Sequence, residues 1–296
     1  MSTSHRIGLH VSAAGGAENA PENAKAFKAE CFQFFSRSPR GGGAPVLKEE
    51  SVKLFKERSK EYGMESYIHT PYYINFASKN NKIYQGSISA VREELIRGTT
   101  LGVKYVMTHM GSAKDWLNPS LDKGRKGGVS VPPEALKQAV EGLKKIYDTD
   151  EALETQLLLE ISAGAGAVLG DSFEELAYLL DGLKRDDVHV CLDTCHLFAS
   201  GYDLRNAEVL DETMKKFDKL IGVSRLKLVH ANDSKKELGD HRDLHEHIGH
   251  GKIGEEGFAA IFKHPAFKKV NFILETKHDD YIKDDIMLLK SLRDAA

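Results

Sequence analysis

Short apolar runs that end on a polar residue recur along the chain. Gln156-Leu-Leu-Leu-Glu160 is one example, and its length and continuous apolar character are typical of a buried parallel strand. We predict eight such strands: Ile7–Val11, Cys31–Phe35, Glu65–His69, Lys104–His109, Gln156–Glu160, Val188–Asp193, Leu226–His230 and Val270–Glu275. Between most of them apolar residues recur at helical spacing, as in Ser51–Tyr62, Ser87–Leu101, Pro133–Tyr147 and Ser172–Leu183. This alternation predicts an α/β fold, a (β/α)₈ TIM barrel formed by one domain over residues 1–296.

Local signals add one helix start and two long loops. Ser172 precedes Glu174 and Glu175, which predicts an N-cap followed by a first turn with favourable negative charge. The segments Ser112–Pro133 and Asp233–Gly254 are polar and rich in glycine, and we predict that they form loops over the active face of the barrel.

Composition narrows the protein class. The 296 residues carry a net charge of −3, which gives no global attraction to nucleic acid. No stretch approaches the ~20 apolar residues of a membrane span. Three cysteines do not suggest a disulfide framework. We therefore expect a cytoplasmic protein without membrane contact. A monomer is the default expectation, because the sequence carries no legible interface signal.

Metal-ligand side chains stand at or just beyond the predicted strand ends. They are His69, His109, Glu160, Asp193, His196, His230, Asp243, His245 and Glu275. In a barrel the C-terminal ends of the strands converge, so the carboxylates among them would raise each other's pKa unless a cation neutralised them. Imidazole and carboxylate ligands favour zinc, manganese or iron.

The same residues divide into sets. Glu160, Asp193, His230 and Glu275 end four strands and would surround one metal. His69 and His109 could hold a second metal that shares Glu160. A third set, His196 with Asp243 and His245, suits another zinc, although His241, His247 and His250 are competitors nearby.

Several of these segments resemble one known family, the endonuclease IV family of apurinic/apyrimidinic endonucleases. The resemblance lies in Gly8–Gly16, His69–Ala77, Leu192–Asp203, His230–Lys235 and Asp243–Gly254, and it extends over nearly the whole chain. It implies a (β/α)₈ barrel with three zinc ions that cuts double-stranded DNA on the 5′ side of abasic sites, leaving a 3′-hydroxyl and a 5′-deoxyribose phosphate. It also implies the three ligand sets given above, with Glu160 as the bridge and Glu275 orienting the nucleophile as the catalytic carboxylates. Removal of 3′-blocking groups and substitution of manganese for zinc stay open.

The chain departs from the family pattern at three positions beside the ligands. Met110 stands where the family has proline, Ile161 where it has asparagine, and Lys277 where it has proline. These departures put the local loop geometry in question, and with it the rate and the preferred lesion.

Candidate DNA contacts lie in the loops. The resemblance places Arg40 and Tyr72 where the family inserts side chains into the DNA stack. Cations that could contact phosphates are Lys114, Lys123, Arg125, Lys126, Lys235 and Lys236.

The alternative function is a sugar isomerase or epimerase on the same barrel, which needs a single divalent metal.

Overall fold

A closed barrel of parallel strands forms the centre of the molecule. The computed structural model describes residues 5–117 and 130–296. The barrel strands are β1 (Ile7–Val11), β2 (Cys31–Phe34), β3 (Glu65–His69), β4 (Tyr105–Thr108), β5 (Gln156–Glu160), β6 (Val188–Asp193), β7 (Leu226–His230) and β10 (Asn271–Leu274). They follow one another around the barrel in chain order, and β10 closes it against β1. The predicted (β/α)₈ barrel is confirmed.

Helices surround the barrel and bury the main apolar core against it. They are α1 (Asn19–Ala26), α2 (Glu49–Glu61), α3 (Asn81–Leu101), α4 (Pro133–Lys145), α5 (Phe173–Leu183), α6 (Thr194–Ala199), α7 (Ala207–Leu220), α8 (Gly254–Lys263) and α9 (Ile282–Asp294). Helix α3 begins six residues before the predicted Ser87, because Asn80 caps it by accepting from the backbone N–H groups of Lys82 and Ile83. Among the described residues, no helix has the length and apolar character needed to cross a bilayer.

Side chains inside the barrel lie in layers, because successive residues of a strand face opposite sides of the sheet. One layer is an apolar cluster separate from the main core: Cys31, Tyr67, Tyr105, Met107, Leu158, Cys191, Leu228 and Ile273. Gly8 takes the β1 position in this layer, in register with Cys31 and Ile273. A β-carbon at Gly8 would stand 1.8 Å from the carbonyl oxygen of Cys31, so this position accepts no side chain.

The segment Asp233–Gly254 is more ordered than the predicted loop. It contains a short antiparallel hairpin of β8 (Asp233–Ser234) and β9 (His245–Glu246). The Asp233 carboxylate is buried and accepts hydrogen bonds from the backbone N–H groups of Gly249, Gly251, Ile253 and Gly254 at 2.9–3.2 Å. One carboxylate thus fixes the backbone that follows the hairpin.

The start of α5 holds a titratable group. The Ser172 hydroxyl accepts from the backbone N–H of Glu175, which confirms the predicted N-cap. The Glu175 carboxylate in turn accepts from the backbone N–H of Gly170 at 2.8 Å. Burial, with a smaller contribution from Asp171, raises the pKa of the Glu175 carboxyl to about 7.

We expect Glu175→Gln to gain stability over the parent chain as the pH rises. The folded-state pKa lies above the unfolded value, so the contribution of Glu175 is complete below pH ~4.5 and is lost as the pH rises to about 7. Because the amide stays neutral, Glu175→Gln should gain about 2 kcal/mol relative to the parent between pH 5 and pH 8, measured by urea unfolding.

Glu174→Gln is the matched control for this pH series. Glu174 lies on the same helical turn but is exposed and pairs with Lys216 at 2.9 Å. It should show no such gain at pH 8. Equal pH dependence in all three proteins would contradict the buried position of Glu175.

Candidate metal centre

The rim of the barrel carries a polar residue two positions beyond the apolar layer in each strand. The pairs are Gly8 and His10, Cys31 and Gln33, Tyr67 and His69, Met107 and His109, Leu158 and Glu160, Cys191 and Asp193, Leu228 and His230, and Ile273 and Glu275. The spacing of two residues returns each polar side chain to the inside of the barrel. Six of the nine predicted ligands belong to this rim, and the others come from α6 and the β8–β9 segment.

Glu160 occupies the centre of the rim and contacts two sets of residues. Its Oε2 atom lies 3.2 Å from Nε2 of His109 and 3.9 Å from Nε2 of His69. Its Oε1 atom lies 2.9 Å from Nδ1 of His230, and the same nitrogen is 3.2 Å from Oε2 of Glu275. With Asp193, these side chains form two groups that could each hold a metal ion, and both include Glu160 as predicted.

The third grouping joins α6 to the hairpin. His196 Nε2 lies 3.2 Å from one oxygen of Asp243, and His245 Nε2 lies 3.0 Å from the other. His245 Nε2 is also 3.8 Å from Asp193, so the third set adjoins the second. Cys195 also lies within reach of Asp193 and His245, in a further grouping that could hold a metal, and burial raises the pKa of its thiol to about 12.

The competing histidines lie elsewhere. Nδ1 of His247 lies 2.7 Å from Asp285, and its ring adjoins those of His250 and Tyr281. His241 has a left-handed backbone, with φ of 53°. None of the three belongs to a metal-binding grouping found among the described residues.

Hydrogen bonds fix the orientation of the imidazoles. Nδ1 of His69 donates to the carbonyl oxygen of Thr70 at 2.6 Å, and Nδ1 of His196 donates to that of Ile161 at 2.9 Å. Each bond keeps a proton on Nδ1, so Nε2, which faces a carboxylate, is the nitrogen that a metal could bind. This arrangement is typical of histidine ligands of metals.

The pKa shifts of these residues also fit a metal-binding role. Burial lowers the pKa of His69 to about 4, which keeps this imidazole neutral. Burial alone would raise the pKa of Glu160, but His109 and His230 hold it well below its usual range. Burial would lower the pKa of His245, yet the carboxylates of Asp193 and Asp243 beside it raise the pKa to about 9. The cluster therefore holds ionised carboxylates in a buried place and attracts positive charge.

Several donor atoms make ion-pair contacts but no well-formed hydrogen bond. Glu160 Oε2, His196 Nε2 and His245 Nε2 are buried, and beyond the contacts with His109 and Asp243 given above they have no hydrogen-bond partner within the described part of the chain. Buried polar atoms are rarely left unpaired, because the loss of hydration is then uncompensated. One such atom belongs to the first set and two belong to the third. The donors thus fit divalent cations, although their role as ligands stays a prediction.

Three residues that support this centre were missed by the sequence analysis. Gln33 and His10 belong to the polar rim, and the spacing of two from Cys31 and Gly8 could have identified them. Asn232 donates to Asp193 at 2.6 Å and accepts from the backbone N–H of Glu275 at 2.9 Å, so it ties two candidate ligands together. Asn232 lies within the His230–Lys235 segment that carries the resemblance, which is the one signal in the sequence that points to it.

The three departures from the family pattern leave the centre intact. Met110 and Ile161 have fully buried side chains that pack in the main core. The carbonyl of Ile161 holds His196, and any residue at this position would supply that carbonyl. Lys277 is exposed and lies 3.5 Å from Asp279.

The candidate DNA contacts lie beside the centre. Tyr72 is 69% exposed, and its ring packs edge-on against Phe35 and His69. Its backbone N–H donates to the carbonyl of Pro39 at 3.2 Å, which holds its loop next to Arg40. Arg40, Lys114 and Lys235 are exposed, and Lys236 is partly buried. Lys123, Arg125 and Lys126 lie outside the described residues.

A cavity of about 290 Å³ opens at the centre of the rim. Its walls include His69, His109, His245 and Glu275 from the metal-binding sets, and Tyr72 stands at its edge. This volume is near the lower end of the range for small-ligand pockets.

Comparisons with known proteins agree on one family. A family model described as xylose isomerase-like TIM barrel matches residues 21–292. A protein named probable endonuclease 4 from Carboxydothermus hydrogenoformans is 37% identical over 97% of this chain and 96% of its own length. Another of that name from Methanosphaerula palustris is 37% identical, over 97% of both chains.

Solved structures give the same result. Endonuclease IV from Thermus thermophilus matches 98% of this chain and 100% of its own, with 31% identity and a TM-score of 0.83. A D-tagatose 3-epimerase-like protein is 18% identical with a TM-score of 0.68, and it covers 97% of this chain and 99% of its own. At that identity the likeness concerns the fold alone. The chain therefore belongs to the endonuclease IV family of xylose isomerase-like TIM barrels.

Proposed function

We propose that this protein is a DNA repair endonuclease that hydrolyses the phosphodiester bond 5′ to an abasic site in double-stranded DNA. The products are a 3′-hydroxyl and a 5′-deoxyribose phosphate. Family membership supports the reaction, and the observation that carries it in this chain is the sharing of Glu160 between two donor sets beside a third. A single-metal epimerase has no need of His69, His109, His196, Asp243 and His245.

Zinc is the metal that best suits these donors. His69, His109 and Glu160 would hold one ion; Glu160, Asp193, His230 and Glu275 a second; His196, Asp243 and His245 a third. Zinc bound there would lower the pKa of the attacking water and offset negative charge on the phosphate. Manganese at one or more of these positions is compatible with the same oxygen and nitrogen donors.

Glu275 is the residue best placed to orient the attacking water. It lies in the cavity wall and is partly accessible, whereas Glu160 is fully buried. Burial would raise its pKa, but the charge of His230 holds the pKa below its usual range, so the carboxylate is ionised and accepts hydrogen bonds. Glu160 instead holds the two donor sets at a fixed separation.

An abasic nucleotide suits this cavity because it lacks a base that stacks or pairs, which lowers the cost of turning it out of the helix. Tyr72 and Arg40 stand side by side at the edge, where they could fill the gap that the nucleotide leaves. Since the net charge is −3, attraction to DNA must come from the metal ions and from local cations such as Lys114.

Action as a monomer in the cytoplasm is part of the proposal, and three free, buried cysteines suit a reducing compartment.

The direct test uses a duplex with one tetrahydrofuran abasic analogue and maps the cut ends on a gel. This analogue cannot undergo β-elimination, so a lyase leaves it intact. We expect a single cut 5′ to the analogue that leaves a 3′-hydroxyl. An intact duplex with fully metallated protein would contradict the proposal and direct attention to ketose substrates.

Glu275→Gln, purified in the same way, is the control against a contaminating nuclease. It should cut at least about 100-fold more slowly, since the amide cannot replace the carboxylate in orienting water. Its zinc content is measured beside its rate. If both stayed at the parent values, the assigned role of Glu275 would be wrong.

Tyr72→Ala should weaken DNA binding and leave the metal content unchanged. Removing an aromatic ring that stacks on a base costs about 1–3 kcal/mol, so we expect kcat/KM on the abasic duplex to fall about 10-fold or more. Tyr73→Ala is the matched control, because Tyr73 is the next residue and is less exposed, at 37%. Equal effects of the two substitutions would argue against insertion by Tyr72.

A further inference from the structure

Gln33 on β2 is a fully buried amide at the polar rim, and the proposed reaction gives it no part. Its side chain lies between three residues from three other strands. Its Nε2 is 2.6 Å from Oε1 of Glu275 and 3.1 Å from Nδ1 of His10, and its Oε1 is 2.8 Å from Nε2 of His230. Because this buried amide contacts two candidate metal ligands, it can determine which nitrogen of His230 carries hydrogen and how the Glu275 carboxylate is oriented.

The carboxylate of Glu275 determines which way the amide faces. An ionised carboxylate only accepts hydrogen bonds, so the group next to Glu275 must be the NH₂ of Gln33. The oxygen of Gln33 therefore faces His230, and this oxygen only accepts. His230 must then carry a hydrogen on Nε2. The assignment follows from hydrogen-bonding chemistry and does not depend on telling the two amide atoms apart.

This hydrogen bond leaves the other ring nitrogen of His230 for the metal. Nδ1 is the atom that lies 2.9 Å from Glu160 and 3.2 Å from Glu275. If Nε2 keeps its hydrogen, a divalent cation can displace any proton from Nδ1 and bind there. Gln33 thus acts on His230 as the carbonyls of Thr70 and Ile161 act on His69 and His196. In this case the acceptor is a side chain, and substitution can remove it.

The second N–H of the amide extends the arrangement to β1. It donates to Nδ1 of His10, so a neutral His10 carries its own proton on Nε2. His10 lies in the wall of the central cavity, 3.7 Å from Glu275. The first two strands, which supply none of the nine ligands, thereby support the ligands of β7 and β10.

We propose that Gln33 is a positioning residue that holds His230 as the Nε2–H tautomer and fixes the Glu275 carboxylate, so that both face one metal ion. The proposal rests on the metal centre described under the proposed function and adds a determinant of its affinity. Outer hydrogen-bonding partners of metal ligands typically change metal affinity 10–100-fold when they are removed. Gln33 should therefore govern one of the three ions and leave the other two bound.

The first experiment compares zinc affinity in Gln33→Met and Gln156→Met, using zinc-loaded protein and competition with a chelator. Methionine keeps the length of glutamine and removes its hydrogen bonds. Gln156 is the control because it pairs with His189 at 3.1 Å at the start of β5, the opposite end of the strand from Glu160. We expect one zinc ion to bind about 10–100-fold more weakly in Gln33→Met and all three to keep parental affinity in Gln156→Met. Unchanged affinity in Gln33→Met, or equal losses in the two variants, would overturn the proposal.

The second experiment uses the parent protein, so it tests the assigned tautomer of His230 even if Gln33→Met does not fold. Long-range ¹H–¹⁵N correlation spectra of the zinc-loaded parent protein report which nitrogen of His230 carries hydrogen. We expect a protonated Nε2 and a metal-bound Nδ1; a bare or metal-bound Nε2 would overturn the proposal. A parent protein that binds zinc but leaves the abasic duplex uncut would contradict the proposed function alone.

Discussion

The crowding of carboxylates at one end of the barrel is the constraint on which the rest of the centre depends. Glu160 and Asp193 are fully buried, and Glu275 is partly buried. Like charges at this depth are costly unless cations stand between them. The charges of His109 and His230 offset part of that of Glu160, whereas burial keeps His69 neutral. In His69 and His196 the hydrogen bond at Nδ1 leaves Nε2 directed at a carboxylate, as in a histidine that binds a metal.

The barrel produces this crowding from simple geometry. Strand alternation places one side chain in two inside the barrel, and the apolar layer that contains Leu158 and Ile273 fills its middle. The next inward position lies within one residue of the end of each strand, and there the chain has polar residues throughout. The outer supports come from elsewhere: Asn232 joins Asp193 to Glu275, and Asp233 fixes the backbone behind the β8–β9 hairpin. The strand geometry of the barrel therefore places most of the candidate metal ligands in a single rim of residues.

Strand ends and ligand types could be predicted from the sequence because both depend on local patterns. The run that ends in Glu160 and the one that ends in His230 show a buried strand followed by a donor, and convergence at the rim follows from barrel topology. The hairpin within Asp233–Gly254 could not be predicted, since its order comes from hydrogen bonds to the buried Asp233 rather than from a hydrophobic period. Gln33 and His10 could not be assigned a role from the sequence, because an amide is not a typical metal ligand and a single histidine in a strand is more often a hydrogen-bonded core residue. Their meaning depends on contacts with β7 and β10, and the Gln33–His230 pair is 197 residues apart along the chain.

Anomalous X-ray diffraction from crystals of the zinc-loaded protein, recorded on both sides of the zinc absorption edge, tests the central claim most directly. The account predicts three zinc peaks per chain at the rim: one beside His69 and His109, one between Glu160, Asp193, His230 and Glu275, and one beside His196, Asp243 and His245. The first two peaks should share Glu160 as a ligand. A single peak beside His230, with the other histidines bound to water or to each other, would contradict the three-metal centre and favour single-metal chemistry of the epimerase kind.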